Sequence, residues 1–356
     1  MKNLKVSVAM ATYNGERFLK EQLESLARQT LLPLELVACD DGSTDATLDI
    51  LRRFEVAAPF LVRVYQNENR LGHGRNFLRA ASLCSGELIA FSDQDDVWLE
   101  EKLERCSAAI LDTESNLVVH SGRVVDSNLR PVGFSTPSAR RETCIDSYGR
   151  RGWRPLGSML RMCPGFACVF RAGLLRQMPP SPPLSAPERG HEYWLFFAAE
   201  AIGRIVLIPD VLALYRQHER NTCGFRPGGL REYAPAARVG HAEYADQAET
   251  ELLFAKLLSG AAERLPELRL RLQRAQRWHE ERAESLAFRA SLYAATPSLA
   301  RTAGRLLSLL VGGTYRPTSQ GGIGIRGLAK DLVVPFLART AIREQANSKR
   351  AVIVSD

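Results

Sequence analysis

Nowhere in these 356 residues do some 18 apolar residues run together, so no segment qualifies as a membrane-spanning helix. No Cys-x-x-Cys pair occurs. The seven cysteines, at 39, 84, 106, 144, 163, 168 and 223, are odd in number and scattered. They exclude a disulfide framework and read as buried thiols in a reducing cytosol. No repeat of fixed period is present, which excludes a solenoid. The opening, Met1-Lys2-Asn3-Leu4-Lys5, leads straight into an apolar stretch without the pattern of a signal peptide, and a cytoplasmic location is expected. No Gly-x-Gly-x-x-Gly follows that stretch, so the usual dinucleotide-binding fold is excluded too.

What is present is a globular composition, 45% hydrophobic and 24% charged, with a net charge of +7 from 47 Lys and Arg against 40 Asp and Glu. That balance suits an anionic ligand or an anionic membrane surface, and no nucleic-acid partner is expected. The first hundred residues alternate strand and helix four times. Strands are expected over 5–11, 34–39, 61–65 and 87–91, with helices over 16–28, from 43 or 44 onward, 74–83 and 97–110. The strands are apolar almost throughout, as a sheet covered on both faces requires. Such alternation predicts a parallel sheet with right-handed crossovers. Ligands of these sheets bind at the carboxyl ends of the strands, where Thr12, Asp41 and Asp93 all fall.

The stretch Phe91-Ser92-Asp93-Gln94-Asp95-Asp96-Val97-Trp98 gathers three carboxylates at one strand end. Their mutual repulsion in a partly dry site costs several kcal/mol unless a cation offsets it, and hard oxygen ligands suit Mg²⁺ or Mn²⁺. Asp96 can serve instead as the cap of a following helix. Beyond Asn116 the regularity loosens. A strand is expected over 117–125, an irregular segment over 127–160, then a strand at 166–170, a helix over 191–202 and a strand over 204–208. From about Tyr233 to Leu292 the pattern is helical. Two domains follow: 1–230, an α/β catalytic domain, and 231–356, a helical region that packs, oligomerises or lies on a membrane surface.

These motifs resemble the family 2 glycosyltransferases. Ser7-Val8-Ala9-Met10-Ala11-Thr12-Tyr13-Asn14-Gly15, Asp40-Asp41-Gly42-Ser43-Thr44-Asp45 and the Asp93 to Trp98 stretch carry the likeness over residues 5–225, and Asp-Gln-Asp-Asp-Val-Trp resembles the bacterial rhamnosyltransferase-type branch. The resemblance implies a GT-A fold with a mostly parallel sheet flanked by helices, a nucleoside-diphosphate-sugar donor, a divalent metal and inversion at the anomeric carbon. It also implies that Thr12 and Tyr13 line the nucleoside pocket and that Asp41 accepts the pyrimidine N3–H. Asp95 then binds the metal, Asp93 contacts ribose and metal-bound water, and Arg75 reaches the diphosphate. The family's base stands in a His-Asp-Trp-Trp-like stretch, matched here by His191-Glu192-Tyr193-Trp194, so Glu192 is the expected base with one extra methylene. Tyr215-Arg216-Gln217-His218-Glu219-Arg220-Asn221 resembles a further family element, which gives Arg216 to the diphosphate and His218 to the metal or diphosphate.

The expected activity is inverting, metal-dependent transfer of a sugar, L-rhamnose from dTDP-rhamnose first, to a cell-surface polysaccharide or lipid-linked saccharide. Three alternatives stand beside it: the same chemistry with a UDP-hexose, an inactive nucleotide-binding scaffold, and a two-metal phosphohydrolase built on Asp40, Asp41, Asp93 and Asp95. Two basic clusters, Arg264 to Arg277 and Arg301 with Arg305 beside 306–311, are candidates for peripheral contact with anionic lipid; a second copy of the chain is the competing partner.

Overall fold

The computed structural model describes residues 4–136, 141–148, 164–179, 191–219, 221, 241–292 and 307. The chain divides into two compact units, Met1–Gly152 with Leu156–Phe225, and Arg226–Asp356 with Trp153–Pro155.

The first unit begins with the expected alternation: β1 (Val6–Thr12), α1 (Leu19–Ala27), β2 (Glu35–Asp40), α2 (Thr47–Ala57), β3 (Leu61–Gln66), α3 (His73–Leu83) and β4 (Leu88–Ser92). Every residue of β1, β2 and β4 is buried, which is why their apolar residues run continuously instead of alternating. The unit continues with β5 (Val97–Trp98), α4 (Lys102–Thr113), β6 (Leu117–Val125), β7 (Pro131–Ser135), β8 (Thr143–Ile145), β9 (Cys168–Arg171), α5 (Gly173–Gln177), α6 (His191–Ile202) and β10 (Ile205–Arg216). The strands form one sheet in the order β3-β2-β1-β4-β9-β6-β10-β5, with β7 on β6 and β8 on β10. The β3-β2-β1-β4 half is wholly parallel, and β6 pairs parallel with β10. An antiparallel β9 separates the two parallel pieces. Registers of Thr12 with Asp40 and Met10 with Ser92 bring the carboxyl ends of β1, β2 and β4 to one edge.

Several local expectations are corrected. Val97 and Trp98 extend as β5 against Leu214 and Ala213, and α4 starts only at Lys102; pairing with a distant strand outweighs the local helical pattern. Asp96 is therefore no helix cap. Ser43 and Thr44 do not cap α2 either, since Asp45 accepts the Thr47 N–H at 3.0 Å. A 3-10 turn occupies Gly165–Ala167 before β9 begins, and the strand expected over 204–208 runs on to Arg216 through two irregularities in register. The segment expected to be irregular contains β7 and β8, and its residues 137–140 and 149–160 lie outside the described residues. Among the described residues five cysteines form no disulfide: Cys39, Cys106 and Cys168 are buried, Cys84 is half-buried and Cys144 exposed.

In the second unit α7 (His241–Arg264) and α8 (Arg269–Leu292) fold back on each other around Tyr244, Ala248, Leu286 and Ala290. The buried Glu251 accepts from His279 Nδ1 at 2.5 Å and from Arg282 Nε at 2.8 Å, which fixes the register of the pair. Of the first basic cluster, Leu272 is buried while Leu270 is exposed. The second cluster lies outside the described residues except for Leu307. No helix among the described residues is long and apolar enough to cross a membrane.

Candidate active site

The loops after β1, β2 and β4 are tied together by side chains that the strand order brings side by side. Thr12, buried at the end of β1, donates to Asp40 Oδ1 at 2.9 Å. Asp40 also accepts the Gly42 and Ser43 amides, shaping a turn whose Gly42 stands at φ +85°, a conformation that favours glycine. Gln94 grips both sides of Tyr13: its Oε1 accepts the Tyr13 N–H at 2.9 Å and its Nε2 donates to the Tyr13 carbonyl at 3.1 Å. The exposed Tyr13 ring lies 3.9 Å beneath the Arg70 guanidinium. Asp41 is buried, and its carboxylate accepts from Asn67 Nδ2 and the Leu71 and Gly72 amides at 2.7–2.8 Å. It therefore also organises the loop after β3. Arg75 is exposed near the start of α3.

Asp93 and Asp95 are half-buried just past β4. Burial, then the charge of Asp95, then that of Glu192, hold the Asp93 carboxyl well above the usual carboxylate range. Asp95 Oδ2 meets His218 Nε2 at 2.8 Å. Asp96 faces the other way. Its Oδ1 accepts the Arg216 N–H at 3.0 Å, its Oδ2 has no hydrogen-bond partner among the described residues, and burial with the charges of Asp95 and Asp93 keeps its pKa high. Arg216 is buried, donating from Nε to the Asp95 carbonyl and from Nη1 to the Ser127 carbonyl, each at 2.7 Å, and from Nη2 to Glu21. Its guanidinium also lies 4.4 Å from the Phe18 ring. The expectation that Arg216 faces a diphosphate does not match this placement: it clamps the carboxylate loop from behind.

Glu192 enters from the first turn of α6. Its Oε1 accepts the Gly165 N–H at 3.2 Å, and burial raises its pKa. His191 beside it is buried, stacked on Phe77 at 4.1 Å between ring centroids and edge-on to Phe91 at 4.5 Å. Burial lowers the His191 pKa to about 3, so the ring is neutral. The turn that supplies the Gly165 amide is held by Lys102, fully buried over the Trp98 ring, whose Nζ donates to the Phe166 carbonyl at 2.7 Å. Burial pulls that ammonium down to about 7. Gln94, Lys102 and Gly165 carry no chemistry in isolation, and the sequence reading passed over them; Gly165 marks the site only by touching His191.

A Cβ at residue 165 would stand 2.4 Å from His191 Nε2 and 3.2 Å from Glu192 Oε1. Gly165→Ala is therefore expected to lower kcat by about a hundredfold, through displacement of the Glu192 carboxylate. Its KM for donor should stay near wild type, because no nucleoside contact is touched. Steady-state kinetics check this, and an equal loss in both constants would place the damage elsewhere.

The donor set suits a hard divalent cation. Asp93 and Asp95 concentrate negative charge at one strand end, and Mg²⁺ or Mn²⁺ commonly takes one or two protein carboxylates and completes its shell with substrate phosphate and water. Asp95 Oδ2 and His218 Nε2 already lie 2.8 Å apart, and among the described residues a separate trio, His73, His191 and Glu192, brings its ligand atoms within 4.8 Å of one another.

The model of the family described as glycosyl transferase family 2 matches residues 7–178. A dTDP-rhamnosyl transferase of Shigella flexneri is 35% identical over 111 residues, 30% of this chain and 38% of that protein. A UDP-glucose:α-D-GlcNAc-diphosphoundecaprenol β-1,3-glucosyltransferase of Escherichia coli is 30% identical over 125 residues, 35% of this chain and 47% of that protein. The chain spans 66% of the length of an uncharacterized glycosyltransferase of Nostoc sp. and 59% of that of an uncharacterized protein of Mycobacterium bovis, each at 26% identity. Among solved structures, Staphylococcus aureus TarS 1–349 in complex with UDP-GlcNAc superposes with a TM-score of 0.52 at 20% identity, covering 92% of this chain and 90% of that one. The fold is of the GT-A type.

Proposed function

We propose that this chain, whose residues 7–178 match the glycosyl transferase family 2 model, moves a sugar from a nucleoside-diphosphate donor to a saccharide or lipid-linked saccharide with inversion. The catalytic work is assigned to residues 1–230. The observation that carries the reading is the convergence of three separate segments. Asp93 and Asp95 after β4 and Glu192 on α6 lie close enough for the charges of Asp95 and Glu192 both to raise the Asp93 pKa. One carboxylate group at the strand ends serves the diphosphate, and one at a helix start serves the acceptor.

Tyr13, beside the loop that Asp41 organises, offers its ring to the base, with Arg70 moving aside or stacking from the other face. Asp41 accepts a pyrimidine N3–H, Thr12 lines the pocket by holding Asp40 in place, and Arg75 at the rim meets the diphosphate. Asp95 and Asp93 hold the divalent cation, with His218 and Arg216 fixing Asp95 in place. When bound, that cation neutralises charge developing on the leaving diphosphate. Glu192 takes the proton of the acceptor hydroxyl as its oxygen attacks the anomeric carbon, and the bond to the diphosphate breaks. Burial, which raises the Glu192 pKa, makes it a better base than a solvated carboxylate.

The donor we favour is dTDP-L-rhamnose, supported by the 35% identity to the Shigella enzyme over 111 residues. The second reading, a UDP-hexose, is supported by the E. coli glucosyltransferase at nearly the same identity. A panel of sugar nucleotides with Mn²⁺ or Mg²⁺ decides between them by nucleoside-diphosphate release. Fastest release from dTDP-rhamnose is expected; preference for a UDP-hexose overturns the donor assignment, and release from none overturns the activity.

A further inference from the structure

His73 at the first position of α3 and His191 and Glu192 at the start of α6 come from segments more than a hundred residues apart, yet one ligand atom from each falls within 4.8 Å of the others. The proposed transfer uses only Glu192 of the three. His191 is 2% exposed, and neither of its ring nitrogens has a hydrogen-bond partner among the described residues. A buried imidazole without a partner is costly, and a ligand on a lone pair would recover that cost. Its Nδ1 stands 3.6 Å from Glu192 Oε2, the oxygen left over when Oε1 takes the Gly165 amide. Ligands about 2.0–2.2 Å from a tetrahedral ion lie about 3.3–3.6 Å apart, so this edge of a coordination shell is already set. The His73 ring, 5.4 Å from that of His191 between centroids, sits at an exposed helix start where rotation can close the remaining distance.

We infer that His73, His191 and Glu192 form a second metal site, selective for Zn²⁺ over the hard cation of the Asp93–Asp95 site. Two imidazoles and one carboxylate with a fourth position open suit borderline ions such as Zn²⁺ and Co²⁺, whereas the Asp93–Asp95 pair offers oxygen only. On the reading that Glu192 is the base, Zn²⁺ would hold the carboxylate that must accept the acceptor's proton, so the site acts as a brake on transfer.

Visible absorption of Co²⁺ added to the full chain in excess Mg²⁺ tests this, because four-coordinate Co²⁺ absorbs far more strongly than the six-coordinate ion. It needs no sugar transfer, so failure here leaves the glycosyltransferase reading standing. Wild-type protein is expected to develop an intense band that saturates at one equivalent and disappears on adding Zn²⁺. His73→Ala, which alters an exposed side chain and should fold normally by circular dichroism, is expected to weaken Co²⁺ binding by about a hundredfold or more. Asp95→Asn should keep the band. No intense band in the wild type, a band unchanged in His73→Ala, or a band lost in Asp95→Asn overturns the second site.

Discussion

Asp95→Asn is expected to fold like the wild type and to lose about a hundredfold or more of its nucleoside-diphosphate release. The change removes one charge beside a half-buried carboxylate and leaves the buried strands β1, β2 and β4 untouched. The contribution of a bound divalent cation to a leaving diphosphate is worth several kcal/mol, and each 1.4 kcal/mol or so is tenfold in rate. Two interactions at this residue report different things. The Asp95 carbonyl, which accepts from Arg216, survives the substitution, so the loop should keep its place. The Oδ2 contact to His218 at 2.8 Å can be remade by an amide, so orientation survives while charge is lost. Higher Mn²⁺ should therefore recover part of the rate. Near-normal turnover at low Mn²⁺ would mean that this carboxylate holds no metal.

Glu192→Gln is expected to lower kcat by about 10²–10⁴-fold with donor KM little changed. An amide keeps the size and can still accept the Gly165 N–H, so the turn should not move. What it lacks is a site for the proton. Because burial holds the wild-type pKa above the usual carboxylate range, kcat should rise with pH through that raised pKa, where the carboxylate becomes ionised. In the variant this rise should vanish. A parallel loss of donor affinity would assign Glu192 a place in the donor pocket instead of at the acceptor.

The elements that could be read in advance are those whose information is local. A continuous apolar run identifies a strand covered on both faces, and the residues just after it identify the ligand edge; Thr12, Asp41 and Asp93 fall where that rule puts them. The strand expected over 117–125 is β6, residue for residue. What escaped depends on partners far along the chain. Val97 and Trp98 carry a helical pattern yet pair with residues some 116 positions later. Arg216 looks in sequence like a cation for phosphate; its hydrogen bonds run back to Asp95, 121 residues away, and to Glu21, 195 residues away. A buried guanidinium satisfied on three nitrogens is a clamp, and only the folded sheet reveals that. Lys102 bonded to Phe166 across 64 residues is the same kind of case. His73 was invisible for another reason: no motif marks it, and its proximity to His191 comes only from the packing of α3 against α6.

The most direct test of the account is nucleoside-diphosphate release by chelator-stripped, full-length protein as Mn²⁺ is added back, with Asp95→Asn and Glu192→Gln run beside it. The stripped wild type is expected to be silent and Mn²⁺ to restore it, while Asp95→Asn should need far more Mn²⁺ and Glu192→Gln should stay slow at every concentration. Full turnover by the stripped wild type, matched by both variants, would contradict the account.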